Sequence, residues 1–162
     1  MTTWQSRIDD VWARADEVEP SELVRLVDEA VGDAPAGPAA FERAGSFDAT
    51  DRPELAEPLY REALRHRLDP EVRARAVIQL ASTVRNLGRP DEAVTLLTDL
   101  LDDDAAGLGD AAVAFRALAL ADLGDERRGL ADVLAAFAPH LPAYTRSVSA
   151  YAEELGAQGT KR

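Results

Sequence analysis

The residues that most often carry covalent or metal chemistry are few in this chain, and their spacing argues against such a role. There are two histidines, His66 and His140, and no cysteine. A zinc site draws His, Cys or carboxylate ligands from short, characteristic spacings, and neither histidine has a second ligand at such a spacing. His66 stands between Arg65 and Arg67, two guanidinium groups that would repel a cation. The run Asp102-Asp103-Asp104 followed by Gly107 resembles the start of a calcium loop with Asp102 in the first position. The fifth position is then Ala106 and the twelfth Val113, so two ligands are missing, the closing bidentate glutamate among them. The segment reads as a solvated loop. Gly107-Leu108-Gly109 has no lysine partner and follows no strand, so it is not a phosphate cradle. Serines and carboxylates are plentiful, but no nucleophile elbow and no histidine-bearing catalytic motif is present. The expectation is a non-catalytic chain with neither metal nor cofactor.

The elements that position these residues are helical. Trp4, Ile8, Val11 and Trp12 share one helix face, and Leu23, Val24, Leu26, Val27, Ala30 and Val31 form a second stripe. No sustained period-two alternation bounded by hairpin turns occurs, so strands are not expected. Pro20, Pro53, Pro70, Pro90 and Pro142 each come just before a helical pattern. There the missing N–H costs nothing and the fixed φ is already helical. Gly88 and Gly124 close the helices before them, glycine entering the left-handed cap conformation most cheaply. The 162 residues suffice for one domain with its own core. The absence of cysteine fits a reducing compartment such as the cytoplasm, and no apolar run approaches the length of a membrane span. A formal charge of -12 argues against general nucleic-acid binding, because phosphates repel an acidic surface.

A period organises the helices. A helix, a Gly-containing turn and a second helix run from Ala76 to Leu101, and the turn and its flanks recur between Leu118 and Leu134. A degenerate copy lies between Phe41 and Leu64. The small residue early in each second helix, Ala56, Ala93 and Gly129, recurs at spacings of 37 and 36, where it lets two helices cross closely. The central copy resembles a tetratricopeptide repeat: Leu80-Ala81, Val84, Leu87-Gly88, Ala93, Leu97 and Leu100 occupy that family's packing positions. The period is slightly longer than the usual one of about 34. Residues 77–94 are also similar to a group of small bacterial tetratricopeptide proteins without established activity. This resemblance implies an all-α superhelix of helical hairpins, with an N-terminal helical pair (1–35), about three repeats (36–69, 70–106, 107–138) and a C-terminal capping helix with a short tail (139–162). It further implies a protein or peptide ligand on the concave face, which the first helix of each pair lines.

On the central first helix, removing the packing positions Val77, Leu80, Ala81 and Val84 leaves Arg75, Gln79, Ser82, Arg85 and Asn86, with Ile78 among them. These share one face and suit peptide recognition, since amides pair with a backbone and guanidinium groups with a carboxylate. From Arg61 to Arg89, seven arginines face three acids, a net of +4, so the remainder carries -16. A basic centre of this kind would steer an acidic segment to the groove. The other reading is that these arginines pair with acids at repeat junctions. The lysine- and asparagine-based carboxylate clamp of chaperone-binding relatives is not expected, since Asn86 is the one asparagine and no lysine precedes Lys161. In the third copy the same face is apolar: Ala114, Phe115, Leu118 and Ala121. Either the C-terminal helix covers it, with Ala143, Tyr144, Val148 and Tyr151, or it is an exposed groove for a helix or for self-association into a homodimer. Trp4 and Trp12 are read as packing at the N-terminal end, with an exposed anchor for a partner as the alternative.

Overall fold

The computed structural model describes residues 3–103 and 105–159, and for 158 and 159 the backbone alone. Asp104 of the acidic run lies outside the described residues. Among the described residues the chain forms nine α-helices in sequence: α1 (Trp4–Trp12), α2 (Pro20–Ala30), α3 (Ala36–Asp48), α4 (Pro53–Arg65), α5 (Pro70–Asn86), α6 (Pro90–Asp102), α7 (Gly109–Asp122), α8 (Glu126–Phe137) and α9 (Thr145–Gly159). Short 3-10 turns at Ala15–Glu17 and Ala138–His140 link α1 to α2 and α8 to α9. Each helix packs on the next, so that α3/α4, α5/α6 and α7/α8 are successive hairpins. No helix among the described residues is long and apolar enough to cross a membrane.

Four helices begin on the expected prolines, Pro20, Pro53, Pro70 and Pro90. The turns inside the three hairpins share one geometry. At Gly88 (φ +81°) the Arg89 N–H donates to Val84 O at 3.0 Å and the Gly88 N–H to Arg85 O at 2.9 Å. Gly124 (φ +80°) repeats both bonds, to Leu120 O and Ala121 O. This paired cap satisfies two carbonyls the helix end leaves without partners. The first hairpin closes the same way at Asp51 (φ +57°), with Arg52 bonded to Phe47 O and Asp51 to Asp48 O. The left-handed positions 51, 88 and 124 are again 37 and 36 residues apart, and each precedes its small residue by five.

Those small residues sit where helices cross. Ala56 and Ala93 are almost wholly buried, and a Cβ at Gly129 would lie 3.0 Å from Ala117 O and 3.3 Å from Ala117 Cα. The main core runs from Ala40 on α3 to Ala119 on α7 and is rich in alanine, with Phe41, Tyr60, Ile78, Leu80, Val84, Leu97 and Leu100 as its large members. The N-terminal pair has a separate cluster of Ile8, Val11, Leu23, Val27, Ala30 and Val31, against which Trp4 and Trp12 pack.

Two expectations are corrected at the C-terminus. The last helix starts at Thr145, three residues after Pro142, because Tyr144 takes a left-handed φ of +68°. Helix α9 rests on α8 through Ala152 and Gly156, the latter's Cβ direction meeting Ala131 at 3.8 Å. Tyr144 and Tyr151 project outward, and Ala114 and Leu118 stay exposed. The covering role expected of this helix does not hold.

Candidate functional site

Helix α5 occupies the centre of the face formed by the first helices of the hairpins, with a hollow on each side. The first, about 570 Å³, lies towards α1 and α3, where Trp12, Phe41, Glu42 and Asp48 meet Arg75, Gln79 and Asn86. The second, about 250 Å³, lies towards α7, where Ile78 and Ser82 face Leu108, Ala111 and Phe115. Arg75 and Gln79 line both. A chain segment crossing α5 would therefore meet a polar hollow and then an apolar one, with the same two side chains between them.

The polar hollow is held from beneath. Tyr60 on α4 is fully buried, and its hydroxyl donates to Gln79 Oε1 at 2.8 Å and lies 3.4 Å from Asp48 Oδ2. Thr83 Oγ1, also fully buried, donates to Gln79 O at 2.9 Å and stands 3.3 Å from Asp48 Oδ1. Trp12 Nε1 donates to Glu42 Oε2 at 2.6 Å, and the Trp12 ring covers Gly45, where a Cβ would be 3.3 Å away. The Arg75 guanidinium lies over the Phe41 ring, 5.3 Å from its centroid, at a distance where cation and ring attract. Burial pushes the Glu42 carboxyl above the ordinary carboxylate range, opposed by the Trp12 bond and by Arg75. Burial likewise raises Asp48, opposed by the bonds from Thr83 and Tyr60. Desolvation also raises the Tyr60 phenol, so it stays a neutral donor.

Of the residues expected on the α5 stripe, Arg75, Ile78, Gln79 and Ser82 come together in the second hollow, and Arg75, Gln79 and Asn86 in the first. Ile78 is a wall rather than a free contact: it is 7% exposed and belongs to the core, while Val77, assigned to packing, is half-buried. Arg85 lines neither hollow, and its Nε pairs with Asp122 on α7 at 2.6 Å. Three of the seven arginines of the basic centre, Arg61, Arg85 and Arg89, are engaged in ion pairs. Arg61 and Arg89 both bind Glu57 on α4 and Glu92 on α6, so the four side chains bridge successive second helices. Arg73 lies 3.4 Å from Leu64 O. Arg75 itself stands among Asp9, Glu42 and Asp48. The charge lining the first hollow is therefore mixed rather than basic. The contributions of Phe41, Glu42 and Asp48 were not anticipated, and Trp12 both packs at the N-terminal end and lines the first hollow. Glu42, Gly45 and Ala49 share a face of α3 by their spacing, but only tertiary packing brings Trp12 to it.

A family model described as tetratrico peptide repeat matches residues 37–155, most of the chain. The chain belongs to the tetratricopeptide repeat family. Among solved structures, the fold is similar to that of a Podosopora anserina kinesin light chain candidate with nearly identical TPR-like repeats. The TM-score is 0.64 over 98% of this chain and 97% of that one, at 14% identity. That likeness concerns the fold. No curated protein matches the chain. Tetratricopeptide repeats are typically non-catalytic and mediate protein–protein interaction, and in this one the two hollows beside α5 lie on the face formed by the first helices.

Proposed function

We propose that this tetratricopeptide protein is a non-catalytic scaffold or adaptor that binds a peptide segment of another protein across α5. The observation that carries this is the pair of hollows meeting at Arg75 and Gln79, one polar and one apolar. A short extended segment places successive side chains in different pockets, so a polar or mixed-charge residue fits the first hollow and an apolar side chain the second. The fixed amide of Gln79 lies between them, suited to the ligand backbone. The repeats 36–69, 70–106 and 107–138, flanked by the pair at 1–35 and the helix within 139–162, supply a frame in which α5 is central. The likeness of 77–94 to small bacterial repeat proteins agrees with this frame and adds no activity.

The test is selection of peptides from a displayed random library, followed by titration of the selected peptides against wild type and variants. Ser82→Arg fills the apolar hollow and Arg75→Glu reverses the charge between the two. Each is expected to weaken binding at least about tenfold, the effect of losing roughly 1.4 kcal/mol. Peptides that bind both variants as tightly as wild type would remove α5 as the binding face.

A further inference from the structure

The polar hollow beside α5 carries a charge pattern that specifies its occupant. Its wall, about a space of 570 Å³, holds three carboxylates, Asp9 on α1 and Glu42 and Asp48 on α3, against one guanidinium, Arg75. Glu42 and Asp48 are half-buried, whereas Arg75 is exposed where the two hollows meet. Both half-buried carboxylates accept hydrogen bonds from neutral groups: Glu42 from the Trp12 indole, Asp48 from the Tyr60 and Thr83 hydroxyls. Among the described residues neither is in an ion pair, and Arg75 acts on Glu42 through its field without a hydrogen bond.

The acids at the repeat junctions are served differently. Glu57, Glu92 and Asp132 are also half-buried, yet each binds arginine: Glu57 and Glu92 share Arg61 and Arg89, and Asp132 has Arg116. Burial works against the charge on Glu42 and Asp48, and a cation entering the hollow offsets that cost. The aromatic wall suits a cation as well. Phe41 already holds the Arg75 guanidinium 5.3 Å from its ring centroid, and Trp12 lines the same space. Glu42 and Asp48 stand six residues apart on α3, about 9 Å along the helix. A long side chain with its charge at the tip reaches between them.

We propose that the polar hollow takes a basic side chain of the partner segment, arginine or lysine, its cation held by Glu42 and Asp48. This rests on the reading of α5 as the binding face. Arg75, at the junction of the hollows, donates to the segment's backbone carbonyls, so reversing its charge still weakens binding. With an apolar residue in the second hollow, the recognised segment pairs a basic side chain with an apolar one. Its charge is opposite to that of the acidic segment suggested by the count from Arg61 to Arg89, because Arg61, Arg85 and Arg89 are paired and line neither hollow.

Peptides selected from a random library and weakened by Ser82→Arg test this. They are expected to share a basic residue at one position. Replacing it by citrulline or acetyl-lysine, which keep the length and remove the charge, should weaken binding at least about tenfold. Asp48→Asn and Glu42→Gln keep an acceptor for Thr83 and Trp12, and each should weaken the parent peptide at least about fivefold while leaving the neutralised peptide unchanged. Urea unfolding checks that both variants are folded. Peptides that need α5 but share no basic residue overturn this proposal and leave the binding face standing. So does a neutralised peptide that binds like its parent, or a loss in the two variants that is equal for both peptides. Peptides indifferent to Ser82→Arg remove the binding face, and this proposal with it.

Discussion

Tyr60 joins the core to the candidate binding face, and removing its hydroxyl has a calculable effect. Tyr60→Phe keeps the ring in its fully buried site and deletes the donor to Gln79 Oε1 at 2.8 Å, which is also the neighbour of Asp48 at 3.4 Å. A buried hydrogen bond contributes about 0.5–1.5 kcal/mol net, and an acceptor left dry costs about 1–3 kcal/mol. Gln79 opens onto both hollows, so water can replace part of what it loses. The expected loss is therefore about 1–2 kcal/mol, or roughly 2–8 °C in Tm for a chain of this length. The assay is urea unfolding followed by circular dichroism, with Tyr144→Phe and Tyr151→Phe as controls, since those side chains are 79% and 63% exposed. A double-mutant cycle with Gln79→Ala isolates the pair, and its coupling is expected at about 0.5–1.5 kcal/mol. A coupling near zero, or a loss equal to that of the exposed tyrosines, would refute the claim that Tyr60 positions Gln79.

Gly129→Leu drives a branched side chain into the Ala117 backbone, already 3.0 Å from a Cβ. It should cost at least about 1–3 kcal/mol, read as a lowered urea midpoint, while Leu130→Ala beside it stays within about 0.5 kcal/mol. Gly88→Ala should cost about 1–2 kcal/mol for its left-handed φ of +81°. Asp51→Gly should be neutral or stabilising, since glycine adopts the φ of +57° without steric cost. Burial raises Asp48 and Glu42, so in the folded chain they bind protons that the unfolded chain has released. The stability this gives is complete below the unfolded carboxylate pKa and is lost as pH rises through the folded values. Asp48→Asn should thus be more stable than wild type near neutral pH and should lose that advantage below the ordinary carboxylate range, as urea midpoints at the two pH values will show. Glu57 behaves oppositely: the Arg89 and Arg61 bonds hold it low, and its contribution fades as pH falls through its folded value.

Local chemistry made much of the fold readable. Proline at the first turn, glycine after the last and a small residue at each crossing are constraints that act within a few residues, and Pro70, Gly88 and Ala93 each did what their type dictates. Asp51 was harder to read, because an aspartate in the left-handed region leaves no mark in the sequence that glycine would leave. The start of α9 was displaced by one residue in the same region, Tyr144. The site was only half legible. The face of α5 follows from helical spacing, but Ile78 is buried because α5 has neighbours on several sides, which a single stripe does not reveal. The sequence left open whether the arginines form a basic field or pair at repeat junctions, because three of them find partners outside the counted stretch: Arg61 with Glu92, Arg89 with Glu57, Arg85 with Asp122. A count over a local window cannot register pairs that the repeat itself creates. Trp12 reaches Glu42 only through the packing of α1 on the hairpins, which no local pattern encodes.

The most direct measurement of the central claim is the indole region of an amide-correlation spectrum during titration with a library-selected peptide. The chain has two tryptophans, and the Nε1–H of Trp12, bonded to Glu42 in the polar hollow, reports on that hollow. Binding across α5 predicts that this resonance shifts in step with the backbone amides of Arg75, Gln79 and Ser82, and that Ser82→Arg abolishes all of these shifts together. Saturable binding that leaves Trp12 and α5 unmoved would contradict it.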